Sequence, residues 1–119
     1  MAAEQVLDVV WWTQSLGVEF VRLKKALNEN QSIEKIDELL VLMIERAKEL
    51  KGEIKGARRL IVKLKILRFR LESSIKRGTH NTGWRMNIID RIERKIKKMH
   101  EEAVHAQKQK DYDKIFAYP

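Results

Sequence analysis

Residues 50–57 read Leu50-Lys51-Gly52-Glu53-Ile54-Lys55-Gly56-Ala57. They sit in the middle of the longest apolar pattern in the chain, and the fold turns on whether one helix passes through them. Upstream, Ile33, Ile36, Leu40, Met43, Ala47 and Leu50 recur in steps of three and four. Downstream, Ile54, Ala57, Ile61, Leu64, Leu71 and Ile75 keep the same phase, with only Arg68 interrupting. That spacing lays one apolar seam along a helix. Gly52 and Gly56 each cost a helix about 1 kcal/mol relative to alanine. Between them, Glu53-Ile54-Lys55 offers no proline, serine or asparagine to build a turn. The unbroken phase therefore favours one continuous helix over residues 33–77, roughly 68 Å long at 1.5 Å per residue. A break at Gly52–Gly56 gives the alternative, a four-helix bundle.

The flanking segments are also helical in pattern. Val9, Trp12, Leu16, Phe20, Leu23 and Leu27 share one face of a first helix over about residues 4–28. Asn28-Glu29-Asn30-Gln31-Ser32 ends it, and Ser32 is suited to cap the next helix. Gly78-Thr79-His80-Asn81-Thr82-Gly83 is a loop by composition. After it, Ile89, Ile92, Ile96, Met99, Ala103 and Ala106 predict a third helix over about 84–110. Residues 111–119 are too few for an independent helix and read as a C-terminal tail.

The expected fold is all-α: a single domain over 1–110 with three helices, the central one very long. A rod of that length outruns its short neighbours. Its second half, Ile54, Ala57, Ile61, Leu64, Arg68, Leu71 and Ile75, is therefore expected to form the interface of a homodimer or higher oligomer. One stretch reads differently. Val62-Lys63-Leu64-Lys65-Ile66 and Arg68-Phe69-Arg70-Leu71 alternate apolar and basic as a strand does, but no second strand is available to pair with them.

Charge carries the functional signal. The chain has 119 residues and a net charge of +8, unevenly spread. Residues 57–78 hold eight Lys and Arg and a single acid, Glu72, for a local charge of +7. Residues 79–110 add eight cations against four acids. A face that only keeps a helix soluble mixes both signs to gain i,i+4 pairs, whereas this block makes a positive field that attracts polyanions. On a helical wheel Lys55, Arg59, Lys63, Arg70 and Arg77 fall opposite the seam, with Arg58 beside them. Arg91, Arg94 and Lys98 share the polar face of the third helix. Around the loop, Lys76, Arg77, His80, Trp84 and Arg85 add cations and a ring able to stack on a base. The expected function is non-catalytic binding to the phosphate backbone of an RNA or DNA duplex, with little sequence preference. The alternative is an interaction module whose basic face docks an acidic protein.

Other chemistry is poorly represented. There is no cysteine, hence no disulfide, thiolate nucleophile or cysteine-ligated zinc. His100 and His105 are five residues apart, where zinc binding from one helix face needs four. No glycine-rich phosphate loop and no Ser-His-Asp spacing occurs. No catalytic residue, metal or cofactor is expected. Neither a signal peptide nor a membrane span is evident, so no integral membrane association is expected, and the expected location is the cytoplasm, nucleus or nucleoid.

Overall fold

The computed structural model describes residues 8–77 and 83–117, and every regular element among them is an α-helix. Four occur: α1 Val9–Asn28, α2 Ile33–Glu49, α3 Ala57–Arg77 and α4 Gly83–Ala117. Asp8 caps α1 by accepting the Trp11 backbone N–H at 3.0 Å. The helix therefore begins at Val9; residues 4–7 of its expected start lie outside the described residues. At its other end Asn30 takes a positive φ of 52°. The Gln31 N–H then reaches the Ala26 carbonyl and the Asn30 N–H reaches that of Leu27, a Schellman closure. Ser32 caps α2 by accepting the Lys35 N–H at 3.3 Å, as the sequence indicates.

The long central helix does not form. The chain turns between Glu49 and Ala57, and the four-helix alternative is the observed fold. Short-range bonds build the turn: Leu50 and Lys51 N–H donate to the Ala47 and Lys48 carbonyls, and Glu53 and Ile54 N–H both reach the Leu50 carbonyl. The seam stays in phase across the turn because Leu50, Ile54 and Ala57 are all buried, with Ile54 closing that end of the core. Two glycines already weaken the helix there, and folding back buries the second half of the seam against the first. A straight rod would leave that surface in water.

The helices form a closed ring in which α1 packs on α2 and α4, and α3 packs on α2 and α4. Leu16, Leu23, Leu40, Met43, Leu60, Leu64, Leu67, Ile92 and Met99 fill the centre. Of the residues expected at an oligomer interface, Ile54, Ala57, Ile61, Leu64 and Leu71 lie inside the chain's own core. Arg68 sits at the α2 border: its Nε and Nη2 donate to the two oxygens of Asp37, the second at 3.0 Å, and Glu72 lies 3.7 Å away. The Ile75 side chain is outside the described residues.

Polar ties fix the other helix pairs. Thr13 Oγ1 lies 3.0 Å from the Val10 carbonyl and shares a 2.9 Å hydrogen bond with His100 Nδ1 across the α1–α4 boundary. Lys24 reaches Glu93 at 3.3 Å across the same boundary. Between α1 and α2, Glu19 is buried, and Arg46 lies 4.0 Å from it with its guanidinium over the rings of Trp11 and Trp12.

The tail also differs from expectation. Residues 111–117 continue α4, which needs no second nucleation because it extends an existing helix. Gln107–Asp111 and Gln109–Asp113 hydrogen bonds at 3.1 Å brace this end, and residues 105–115 are exposed. The whole measures 66 × 32 × 22 Å.

Leu64→Ala is expected to cost about 2–5 kcal/mol in urea unfolding. Because the seam closes within one chain, the unfolding midpoint should not move with protein concentration. An intermolecular seam would make it rise.

Candidate nucleic-acid interface

Folding back places α3 beside α4 in antiparallel order, so their basic flanks meet. A groove of about 350 Å³ opens between them, lined by Lys55, Gly56, Arg59, Lys95, Lys98, Met99 and Glu102. Gly56 makes room for its floor. A Cβ there would stand 3.0 Å from Lys95 Cε and 3.2 Å from Met99 Cγ, so the lysine stem lies directly over the glycine. Neither Gly52 nor Gly56 requires a left-handed backbone; the need at Gly56 is for space.

Some cations elsewhere in the bundle find acids: Arg68 with Asp37 and Glu72, Lys24 and Lys97 with Glu93, Arg22 with Glu19. The Glu93 carboxyl is accordingly held below its ordinary range by hydrogen bonds from Lys97 and Lys24. Among the described residues, Lys55, Arg59, Lys63, Lys95 and Lys98 form no ion pair. The Lys95 ammonium is pushed below the usual lysine range, first by partial burial, then by repulsion from Arg59, Lys98 and Lys63. Glu102 opposes the shift only weakly. Here the fold gathers positive charge without neutralising it, which leaves the groove poised for an anion.

The residues expected to bind a polyanion are thus distributed as follows. Lys55, Arg59 and Lys98 line the groove, and Lys63 flanks it close enough to repel Lys95. Arg91 and Arg94 are exposed on α4, two turns and one turn before Lys98 respectively. Arg70 is exposed about 10 Å along α3 from Lys63. Arg58 is exposed on the other flank of α3, toward α2, and Arg85 is half-buried at the start of α4. His80 and the side chains of Lys76, Arg77 and Trp84 lie outside the described residues, so the expected loop cluster has no geometry to report.

Lys95 was not visible as a site residue in the sequence. It lies on the flank of α4, not opposite the seam, and only the neighbouring α3 turns that flank into a groove wall. Its recognisable signal is indirect: a glycine, Gly56, opens the facing helix.

The α3 surface also departs from the helical-wheel expectation of a basic back. Its outermost side chains are Val62, Ile66 and Phe69, with exposures of 55, 42 and 70 %. The cations flank this stripe, Arg58 and Lys65 on the α2 side, Arg59, Lys63 and Arg70 on the α4 side.

Comparison with protein-family models, with curated proteins and with solved structures finds no match for this chain.

Lys95→Gln removes a repelled charge. Its thermal unfolding midpoint at neutral pH is expected to equal or exceed that of the parent, while Arg68→Gln, which breaks a paired charge, lowers it. The sign follows from the depressed lysine. The folded state resists its charged form, a cost present below its lowered pKa and relieved as pH rises toward 10.5, the ordinary lysine value. Calorimetry of both variants at pH 7 and pH 10 checks this: the Lys95→Gln advantage should shrink at pH 10.

Proposed function

We propose that this protein binds nucleic acid through the phosphate backbone, with the α3–α4 groove as its contact surface and little dependence on base sequence. The observation that carries this reading is the convergence of Lys55, Arg59, Lys95 and Lys98 on one groove without an ion pair, with Lys63 at its edge. A bound phosphate relieves the mutual repulsion and favours the ammonium of Lys95. Two antiparallel helices offer cations in two neighbouring rows, and a duplex offers phosphates in two strands. Arg91 and Arg94 extend the row on α4 and Arg70 extends it on α3. No base-reading element is invoked, so RNA and DNA differ for this surface only through groove shape.

The chemistry is non-catalytic. The groove brings together ammonium and guanidinium groups with one carboxylate, a set that neutralises charge and holds position. The two histidines among the described residues take no part: His100 is hydrogen-bonded to Thr13 on another boundary, and His105 lies on the exposed end of α4.

Fluorescence anisotropy against labelled RNA and DNA duplexes tests the reading. Five phosphate contacts at a slope of about −0.9 each predict roughly a 500-fold loss of affinity between 50 and 200 mM salt. Arg59→Glu, Lys63→Glu and Lys98→Glu together should abolish binding with the helical circular dichroism intact, and Lys95→Gln alone should lower the salt slope by about one. Affinity should also fall as pH rises through the depressed titration of Lys95, earlier than for an ordinary lysine contact. Retained binding in the triple variant overturns the assignment. Weak salt dependence with tight binding to an acidic protein would move the groove to the alternative class.

A further inference from the structure

The apolar stripe on α3 is unexplained by phosphate binding. Val62, Ile66 and Phe69 project from an outer helix of the bundle, spaced four and three residues apart, so they form one ridge about 10 Å long. Phosphate contacts do not use them, and leaving three large apolar side chains in water is unfavourable. We infer that this ridge docks on the surface of an anionic lipid bilayer, with Val62, Ile66 and Phe69 entering the boundary between headgroups and acyl chains. The inference rests on the exposed stripe and not on the nucleic-acid reading.

Charge identifies the occupant. Arg58 and Lys65 run along one side of the ridge, and Arg59, Lys63 and Arg70 along the other. Glu72 is the only acid in α3 and pairs with Arg68 of the same helix; on that side Glu45 of α2 also lies beside Lys65 and Phe69, so the basic border is strongest along Arg59, Lys63 and Arg70. A second copy applied to the same face would bring two such basic rows together, which their repulsion opposes. A bilayer supplies the required complement in layers: anionic headgroups level with the cations and hydrocarbon beneath for the stripe. The long Lys and Arg stems let their charges stay among headgroups while the apolar side chains go deeper. The exposed valines of α1, Val18 and Val21, lack this framing: the nearby Arg22 and Lys25 are paired with Glu19 and Glu29. No helix among the described residues is long and apolar enough to cross a membrane, so the contact is with the surface.

Flotation with vesicles provides the test. The intact chain should float with phosphatidylcholine vesicles containing about one-third phosphatidylserine, and at least about tenfold less with phosphatidylcholine alone. Val62→Ser, Ile66→Ser and Phe69→Ser together should weaken that partitioning at least about tenfold. The triple variant keeps every cation, so its duplex binding should be unchanged; the two readings can thus fail separately. The absence of cysteine permits a second readout that does not depend on the variant's folding. Ile66→Cys carrying a polarity-sensitive dye should shift to the blue on anionic vesicles, and Glu38→Cys on exposed α2 should not. A parent chain that fails to float, flotation unaffected by the triple change, or equal dye shifts at both positions overturns the proposal. So does a doubling of mass in sedimentation that the triple variant abolishes, which would give the ridge to a second copy.

Discussion

Turning the chain through Lys51–Gly56 lays α3 on α2 and, through the loop that follows, brings α4 against α3. Burial of the seam is the constraint behind that turn. Leu64, Leu67 and Leu71 of α3 need an apolar neighbour, and Leu40, Met43 and Ala47 of α2 need the same. Once they cover each other, the positions left on α3 are fixed by helical geometry. The flanks are basic and the outermost ridge is apolar. Neither feature is a local choice of the surface; both are what remains after the core has taken its share.

The distribution of acids then decides which cations are structural. Carboxylates of α1, α2 and α4 (Glu19, Asp37 and Glu93) reach across helix boundaries, so Arg46, Arg68 and Lys24 join one helix to the next. The α3–α4 boundary has Glu102 alone in its groove, too distant to pair with any of the lysines or arginines around it. Among the described residues the groove itself holds no ion pair, and Ile92, Ile96 and Met99 pack beneath its cations. Lys95, with its amine pulled partly out of solvent over Gly56, is where the two layers meet.

Much of this is legible in the sequence, for identifiable reasons. The boundary between α1 and α2 is readable because Asn30 and Ser32 carry their own turn and cap chemistry, and the core faces follow from helical spacing. The break at 50–57 is not readable from periodicity, because Ile54 stays buried inside the turn and so preserves the phase that a continuous helix would show. The expectation of an external cover for the seam follows from the same reading: within the chain, the preceding helix already covers it. The basic character of α3 and α4 is visible residue by residue. Which cations converge depends on two helices meeting side by side, and Lys95 becomes part of a site only then.

The alternation of apolar and basic residues over Val62–Leu71 gains its meaning from the same geometry. In a strand it would mark one wet face and one dry face. In α3 the two apolar sets, Leu64, Leu67 and Leu71 against Val62, Ile66 and Phe69, point to opposite sides, and the basic residues occupy the borders between them. A helix needs only one apolar side to join a bundle. The second set adds nothing to the core and stays exposed between cationic borders. Arg59 and Lys63 border the ridge on one side and the α3–α4 groove on the other, so the two surfaces share their cations. If both proposed contacts exist, a ligand that takes those charges at one surface leaves fewer for the other.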